Sequence, residues 1–327
     1  MKMPKVFVTR KVPQKGLDML LNQEGLEVEI WPEPLPPSRE TLAQKARGID
    51  ALYCLLTEKI DDALLDAAGP RLKVVSQMAV GVDNIDIAAC TRRGIPVGNT
   101  PGALTEATAD LTLALMLAAA RQLLPAAAGV RAGKWGTWDP LGYLGPELFG
   151  STVGIVGLGR IGLAVARRLQ GFNARLLYNN PSPGPYAKEV DAQFVDLDTL
   201  LAESDFISLH CPLTPETRYL INADSLRKMK SSAILINTAR GDVVDQAALA
   251  EALQQGVIAA AGLDVTSPEP ILLDDPLLTL PNALVLPHIG SASITARQKM
   301  ATMAAENLLA GLGKKPLPHC VNPEVYN

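Results

Sequence analysis

The sequence predicts an α/β protein of two domains built on parallel sheets, and three observations carry that expectation. The chain has 327 residues, more than the roughly 100 to 200 usual for one domain. Two series of short apolar runs alternate with helical stretches, as in successive β-α-β units. The runs of the second series are apolar nearly throughout rather than at every other residue, as expected of strands covered by helices on both faces.

Within the first hundred residues KVFVTR, LEVEIW, ALYCLL, LKVVSQM and IPVGN read as strands, with helices between several of them. The Pro-rich stretch Trp31 to Pro37 is a loop too short for a domain linker. From Thr105 to Arg121 strong helix formers, apolar on most faces, predict a helix covered on several sides. Glycines, prolines and aromatics then crowd residues 129 to 150, an irregular arm carrying Trp135 and Trp138. Aromatics on such an arm favour a contact between subunits over a loop folded back on its own domain. The second strand series is TVGIVG, ARLLYN, DFISLH, AILINT, AGLDV and ALVLPH, and residues 291 to 312 form a last helix before a short Pro-containing tail.

Composition narrows the function. Lys plus Arg number 30 against 34 Asp plus Glu, a net charge of −4, so no basic field invites nucleic acid or an anionic membrane. Cys54, Cys90, Cys211 and Cys320 lie far apart with no CxxC pair, which argues against a zinc site and for reduced thiols in a cytoplasmic protein. The N-terminus lacks the apolar stretch of a secretory signal. The longest apolar run, Leu111 to Ala120, is shorter than the ~20 residues that span a bilayer.

The first chemistry appears at residues 152 to 162, where a strand runs into a G-x-G-x-x-G turn and a helix follows. Gly157 permits the tight turn, Gly159 lets a pyrophosphate approach the backbone, and Gly162 packs helix on strand, with Leu158, Arg160 and Ile161 between them. The N–H groups and positive dipole of that helix would hold the pyrophosphate. A dinucleotide is the expected cofactor. After the next strand an acidic residue would accept the adenosine ribose and repel a 2′-phosphate, but here Asn179, Asn180 and Ser182 stand. Neutral donors there favour NADP, with NAD possible, and Arg160 is the nearest candidate cation.

Three histidines permit elimination for chemistry that needs an imidazole near neutral pH. His319 lies in the tail, whereas His210 and His288 both end strands, where the ligand crevice of an open parallel sheet opens. Two further strand ends tip the choice to His288: INTARGD carries Arg240, and GLDVTSPEP carries Asp264 and, five residues on, Glu269. The plain alternatives are that Arg240 pairs with Asp242 or Asp245 and that Glu269 is solvated.

With VGVDNID (80 to 86), GLGRIG (157 to 162), HCPLTPET (210 to 217), INTARGD (236 to 242), GLDVTSPEP (262 to 270) and PHIGSA (287 to 292), the chain resembles the D-specific 2-hydroxyacid dehydrogenases over nearly its whole length. Within that family the match is to members that reduce glyoxylate and hydroxypyruvate. The resemblance implies two Rossmann-like or flavodoxin-like domains, the dinucleotide domain (102 to 289) inserted into a substrate domain (1 to 101 and 290 to 327). It implies Arg240, Glu269 and His288 as the catalytic trio. Arg240 would clamp the substrate carboxylate, helped by backbone N–H groups at Val80 and Gly81. His288 would give its proton to the carbonyl oxygen as hydride arrives, and Glu269 would orient the imidazole and favour its charged form. Cys211, Pro212, Thr217, Thr238, Ala239, Asp264 and Gly290 would line the cofactor groove, and the molecule would be a homodimer. Phosphorylated or bulkier 2-oxo acids are the alternative substrates, and a dinucleotide-sensing corepressor is the alternative class.

Overall fold

The computed structural model describes residues 3–327 and divides into two compact units, one made of residues up to Leu104 with Ala292–Asn327, the other Thr105–Ser291. In the first unit five strands, β1 (Lys5–Val8), β2 (Glu27–Ile30), β3 (Ala51–Cys54), β4 (Val74–Gln77) and β5 (Val97–Gly98), form a parallel sheet in the order β2-β1-β3-β4-β5. Strands β3 and β4 are buried at every residue, whereas edge strand β2 alternates, its glutamates turned outward. The helix Ile294–Leu312 starts at a Ser293 cap and lays Met300, Ala301, Ala304, Ala305 and Leu308 on this sheet.

The second unit holds seven parallel strands: β6 (Thr152–Val156), β7 (Arg175–Asn179), β8 (Gln193–Phe194), β9 (Phe206–Leu209), β10 (Ile234–Asn237), β11 (Ala260–Leu263) and β12 (Ala283–Val285). Their order, β12-β11-β10-β9-β6-β7-β8, reverses direction between β6 and β9. A doubly wound sheet opens its ligand crevice at that reversal, outside the carboxyl ends of the strands. Both sheets are therefore of the α/β class expected. Two apolar clusters, one on each face, bury the central strands, the first including Val153, Ile155, Ile234 and Ile236, the second Ile207, Leu209, Leu235 and Leu263. Such two-sided burial is what their unbroken apolar runs reflect.

Helix Thr105–Ala120 packs beneath β10 and β11 with Leu115 and Met116 fully buried, as its all-round apolar character requires. The arm after it begins with a second helix, Leu123–Arg131, and is irregular from residue 132 onward. Among the described residues no single helix is long and apolar enough to cross a membrane, and no cluster of His, Cys, Asp and Glu could hold a metal ion.

Candidate active site

The strand-to-helix turn after β6 has the geometry a dinucleotide demands. Gly157 sits at φ +97°, and a Cβ there would lie 2.6 Å from the backbone nitrogen of Cys211, so only glycine fits. Gly162 backs onto the Gly157 carbonyl, while Gly159 faces open space. Helix Arg160–Leu169 has no side chain capping its first turn. Its leading N–H groups are thus left for an anion, the fit expected of a pyrophosphate.

Beside this turn the two asparagines after β7 are used differently. Asn179 donates its side-chain N–H to the Val195 carbonyl at 2.9 Å, toward β8. Asn180 turns the other way and accepts the Leu158 N–H at 2.8 Å, so it is the one against the glycine turn. Ser182 is exposed in the loop beyond.

Past β9, His210 bonds Ser208 Oγ through Nε2 at 2.8 Å, and burial pushes its pKa down to about 4. A ring held neutral by burial suits a groove wall better than a proton donor. Next to it the Cys211 thiol is pushed up to about 11 by burial and stays protonated. The Thr217 hydroxyl donates to the Pro212 carbonyl at 2.6 Å and receives the Thr214 N–H at 2.8 Å, closing the 212 to 217 loop on itself.

The three candidate catalytic side chains follow β10, β11 and β12, which are consecutive neighbours in the sheet. Neighbouring strands stand about 4.8 Å apart, so residues far apart in sequence emerge side by side. At the end of β10, Asn237 is buried; its amide gives an N–H to the Arg240 carbonyl at 2.8 Å and accepts the Ala239 N–H at 3.0 Å. That fold of the chain presents Thr238, Ala239 and Arg240, and the Thr238 hydroxyl bonds that of Thr112 at 3.1 Å.

After β11 the chain passes Thr266 and two cis prolines, Pro268 and Pro270, on either side of Glu269. One carboxylate oxygen of Glu269 accepts the Thr266 N–H at 3.2 Å, and the other lies 2.9 Å from His288 Nδ1. Both side chains are about one-third exposed. With Nδ1 turned to the carboxylate, Nε2 is the nitrogen free to exchange a proton with a ligand.

His288 itself holds a left-handed backbone, φ +54°. Two contacts impose it: the His288 N–H donates to the Asp264 carbonyl at 2.9 Å, and the Asp264 carboxylate receives the Ile289 and Gly290 N–H groups, each at 2.7 Å. Burial pushes the Asp264 carboxyl above its ordinary range, against those two bonds, which favour its charged form. The Gly290 carbonyl is in turn held by the Thr108 hydroxyl at 3.2 Å.

The Arg240 and Glu269 loops are joined directly. A Cβ on Gly241 would fall 1.9 Å from the Thr266 carbonyl oxygen, so the two backbones touch. Around that contact Ser267 Oγ donates to Asp242, the Ser267 N–H donates to Gln246 at 2.8 Å, and Gln246 donates to Asp275 at 2.6 Å. Asp242 pairs with Arg218 at 2.7 Å. Asn237, Gln246 and Ser267 were not singled out from sequence, and Asp242 was named only as a possible partner of Arg240; the one available signal was a polar residue closing an apolar strand in AILIN.

In the first unit Val80 and Gly81 lie in the turn that follows β4, half-buried.

Comparison with known proteins agrees with this geometry. Residues 113–290 match the family model described as D-isomer specific 2-hydroxyacid dehydrogenase, NAD binding domain. The chain is 50% identical over 324 residues to a glyoxylate reductase of Korarchaeum cryptofilum, covering 98% of this chain and 97% of that one. A solved structure from Thermus thermophilus superposes with a TM-score of 0.92 at 48% identity, covering 97% of this chain and 99% of that chain. An NADPH-dependent glyoxylate/hydroxypyruvate reductase from Sinorhizobium meliloti, solved with NADP and malonate, gives 0.86 at 34% identity, covering 98% and 97%. With that likeness over nearly its full length, a glycine turn after β6 fit for a dinucleotide and an imidazole–carboxylate pair past adjacent strand ends, the chain belongs to the D-isomer specific 2-hydroxyacid dehydrogenase family.

Proposed function

We propose that this enzyme reduces glyoxylate and hydroxypyruvate to glycolate and D-glycerate, with NADPH preferred over NADH. The observation that carries the reading is the His288–Glu269 pair at 2.9 Å on the loops after β12 and β11, next in the sheet to β10, whose following loop carries Arg240. Residues 102 to 289 hold the dinucleotide: the Gly157–Gly162 turn takes the pyrophosphate, Asn180 and Ser182 stand at the ribose, and Cys211, Pro212, Thr238 and Ala239 line the groove. The nicotinamide, when bound, supplies the hydride. Residues 1 to 101 and 290 to 327 bind the substrate, with N–H groups at Val80 and Gly81 meeting its carboxylate.

Arg240 presents a planar fork that binds a carboxylate through two parallel hydrogen bonds. His288 Nε2 gives a proton to the carbonyl oxygen as the carbon is reduced, and Glu269 holds the ring at Nδ1 so that Nε2 faces the substrate. In the reverse direction the imidazole takes the proton back. The preference for NADPH rests on Asn180, a neutral side chain where a carboxylate would repel a 2′-phosphate. The enzyme acts in the cytoplasm, in keeping with four unpaired cysteines, and as a homodimer. Supporting the dimer, Trp135, Trp138, Leu141 and Leu144 on the arm are 65 to 80% exposed.

An initial-rate panel tests this reading, crossing NADPH and NADH with glyoxylate, hydroxypyruvate, pyruvate and 3-phosphohydroxypyruvate. The highest kcat/KM should fall on glyoxylate or hydroxypyruvate with NADPH. A clear preference for the phosphorylated acid would replace the substrate, and no turnover with any pair would remove the reductase reading.

A further inference from the structure

We propose that Asn99 and Gln77 are positioning residues that aim the N–H group of Gly81, and that of Val82 as a further donor beside Val80 and Gly81, at the substrate carboxylate; the inference rests on the reading that this turn meets that group. Three successive carbonyls of the turn, Ala79, Val80 and Gly81, each receive a donor from their own unit. These are the Thr100 N–H at 2.9 Å, Asn99 Nδ2 at 2.8 Å and Gln77 Nε2 at 2.5 Å. The N–H groups of Val80, Gly81 and Val82, by contrast, find no acceptor among the described residues.

The asymmetry has a direct consequence. A trans peptide holds its C=O and N–H antiparallel. The Gly81 N–H shares a peptide with the Val80 carbonyl, and the Val82 N–H with that of Gly81. Fixing the two carbonyls therefore turns both N–H groups away from the amides that hold them. Half-buried backbone donors are seldom left unpaired, and successive unpaired donors form an anion-binding concavity.

The Gln77 amide is itself immobilised, and so is the main chain that carries the Asn99 amide. Gln77 is fully buried, and its Oε1 accepts Asn84 Nδ2 at 2.7 Å, which fixes which end of the amide faces Gly81. Asn84 also donates to the Glu58 carbonyl at 2.7 Å. Asn99 is pinned on both sides, its N–H to the His319 carbonyl at 3.2 Å and its carbonyl to Asn307 Nδ2 at 2.9 Å. Asn307, wholly buried, accepts the His319 N–H at 3.0 Å. The Gln77 amide cannot swing away from the turn, and the Asn99 amide reaches Val80 from a main chain held on both sides.

The test uses Asn99→Asp and Gln77→Glu, which keep side-chain shape but replace the donor with a carboxylate oxygen that repels the turn carbonyl. KM for glyoxylate and the inhibition constant of malonate, a carboxylate that cannot be reduced, should rise together by about tenfold. Turnover should stay within about twofold and NADPH affinity unchanged, a split that general loosening of the unit would not produce. In the wild-type enzyme with NADPH bound, the Gly81 amide resonance in a glycine-labelled sample should move on adding malonate. An unmoved resonance overturns the carboxylate reading itself. A resonance that moves, with KM and malonate inhibition unchanged in a folded Asn99→Asp, overturns the positioning role alone, and should Gln77→Glu fail to fold, the Asn99 variant still decides it.

Discussion

Replacing Asp264 with asparagine should cost turnover rather than cofactor affinity, and the size of the loss follows from the geometry. In the native turn each carboxylate oxygen receives one backbone N–H, from Ile289 and from Gly290, both at 2.7 Å. An asparagine of the same shape has one acceptor and one donor, so whichever way it turns, one N–H loses its partner and meets another N–H. A hydrogen bond to a charged group contributes about 1.5 to 3 kcal/mol. Part of that is recovered because the variant no longer buries a charge, leaving a net loss of about 1.5 to 2 kcal/mol. The loss falls on a residue already at φ +54°, a conformation that costs a side chain-bearing residue about 1 to 2 kcal/mol. The turn should therefore relax and carry the His288 ring away from Glu269 in most molecules. Loss of NADPH absorbance should report a kcat some 10- to 30-fold lower, with NADPH affinity by fluorescence titration nearly unchanged. Unchanged kcat would refute the argument, and a weakened NADPH affinity at normal kcat would return Asp264 to the cofactor groove where the sequence reading expected it.

Other expectations follow from the same structure. Removing the imidazole with His288→Ala should lower kcat by about 10² to 10⁴ while NADPH still binds; equal turnover would take His288 out of the scheme. Arg240→Lys loses one of two parallel hydrogen bonds, so KM for glyoxylate should rise tenfold or more, and a constant KM would mean the carboxylate binds elsewhere. Asn180→Asp keeps an acceptor for the Leu158 N–H but adds a charge, so the ratio of kcat/KM for NADPH over NADH should fall at least about tenfold; an unchanged ratio would misplace the 2′-phosphate. Burial holds the His210 pKa down to about 4 against 6.5 when unfolded, so between these values the unfolded chain binds a proton that the native state refuses. Stability should accordingly fall, by up to about 3 kcal/mol, as pH drops through that window. His210→Gln, which can still bond Ser208, should flatten the dependence of the urea midpoint on pH, and an unaltered slope would refute the assignment.

The strands were legible because burial on both faces leaves its mark on every residue, as in the runs that became β6, β9 and β10. Strand β8 was missed: two exposed residues on a sheet edge carry no such mark. Residues 129 to 150 were expected to be irregular and are so from residue 132 onward; helix Leu123–Arg131, not named from the sequence, runs into their start, with Pro125 tolerated in its first turn, where no N–H partner is needed. Candidate catalytic residues could be named from strand ends because chain order and sheet order coincide from β10 to β12. Which of Asn179 and Asn180 faces the glycine turn could not be, since adjacent residues of a strand point to opposite sides and only the register with β8 decides. Nor could the left-handed backbone of His288, which is imposed by a carboxylate 24 residues earlier in the chain.

The contact of Gly241 with the Thr266 carbonyl ties the loop that carries Arg240 to the loop that carries Glu269 through main chain alone. A side chain can be trimmed by degrees, but a seam of this kind offers nothing to trim. Any substituent on Gly241 forces the two loops apart as a whole. Room for longer or bulkier acids therefore has to be sought in residues away from this seam.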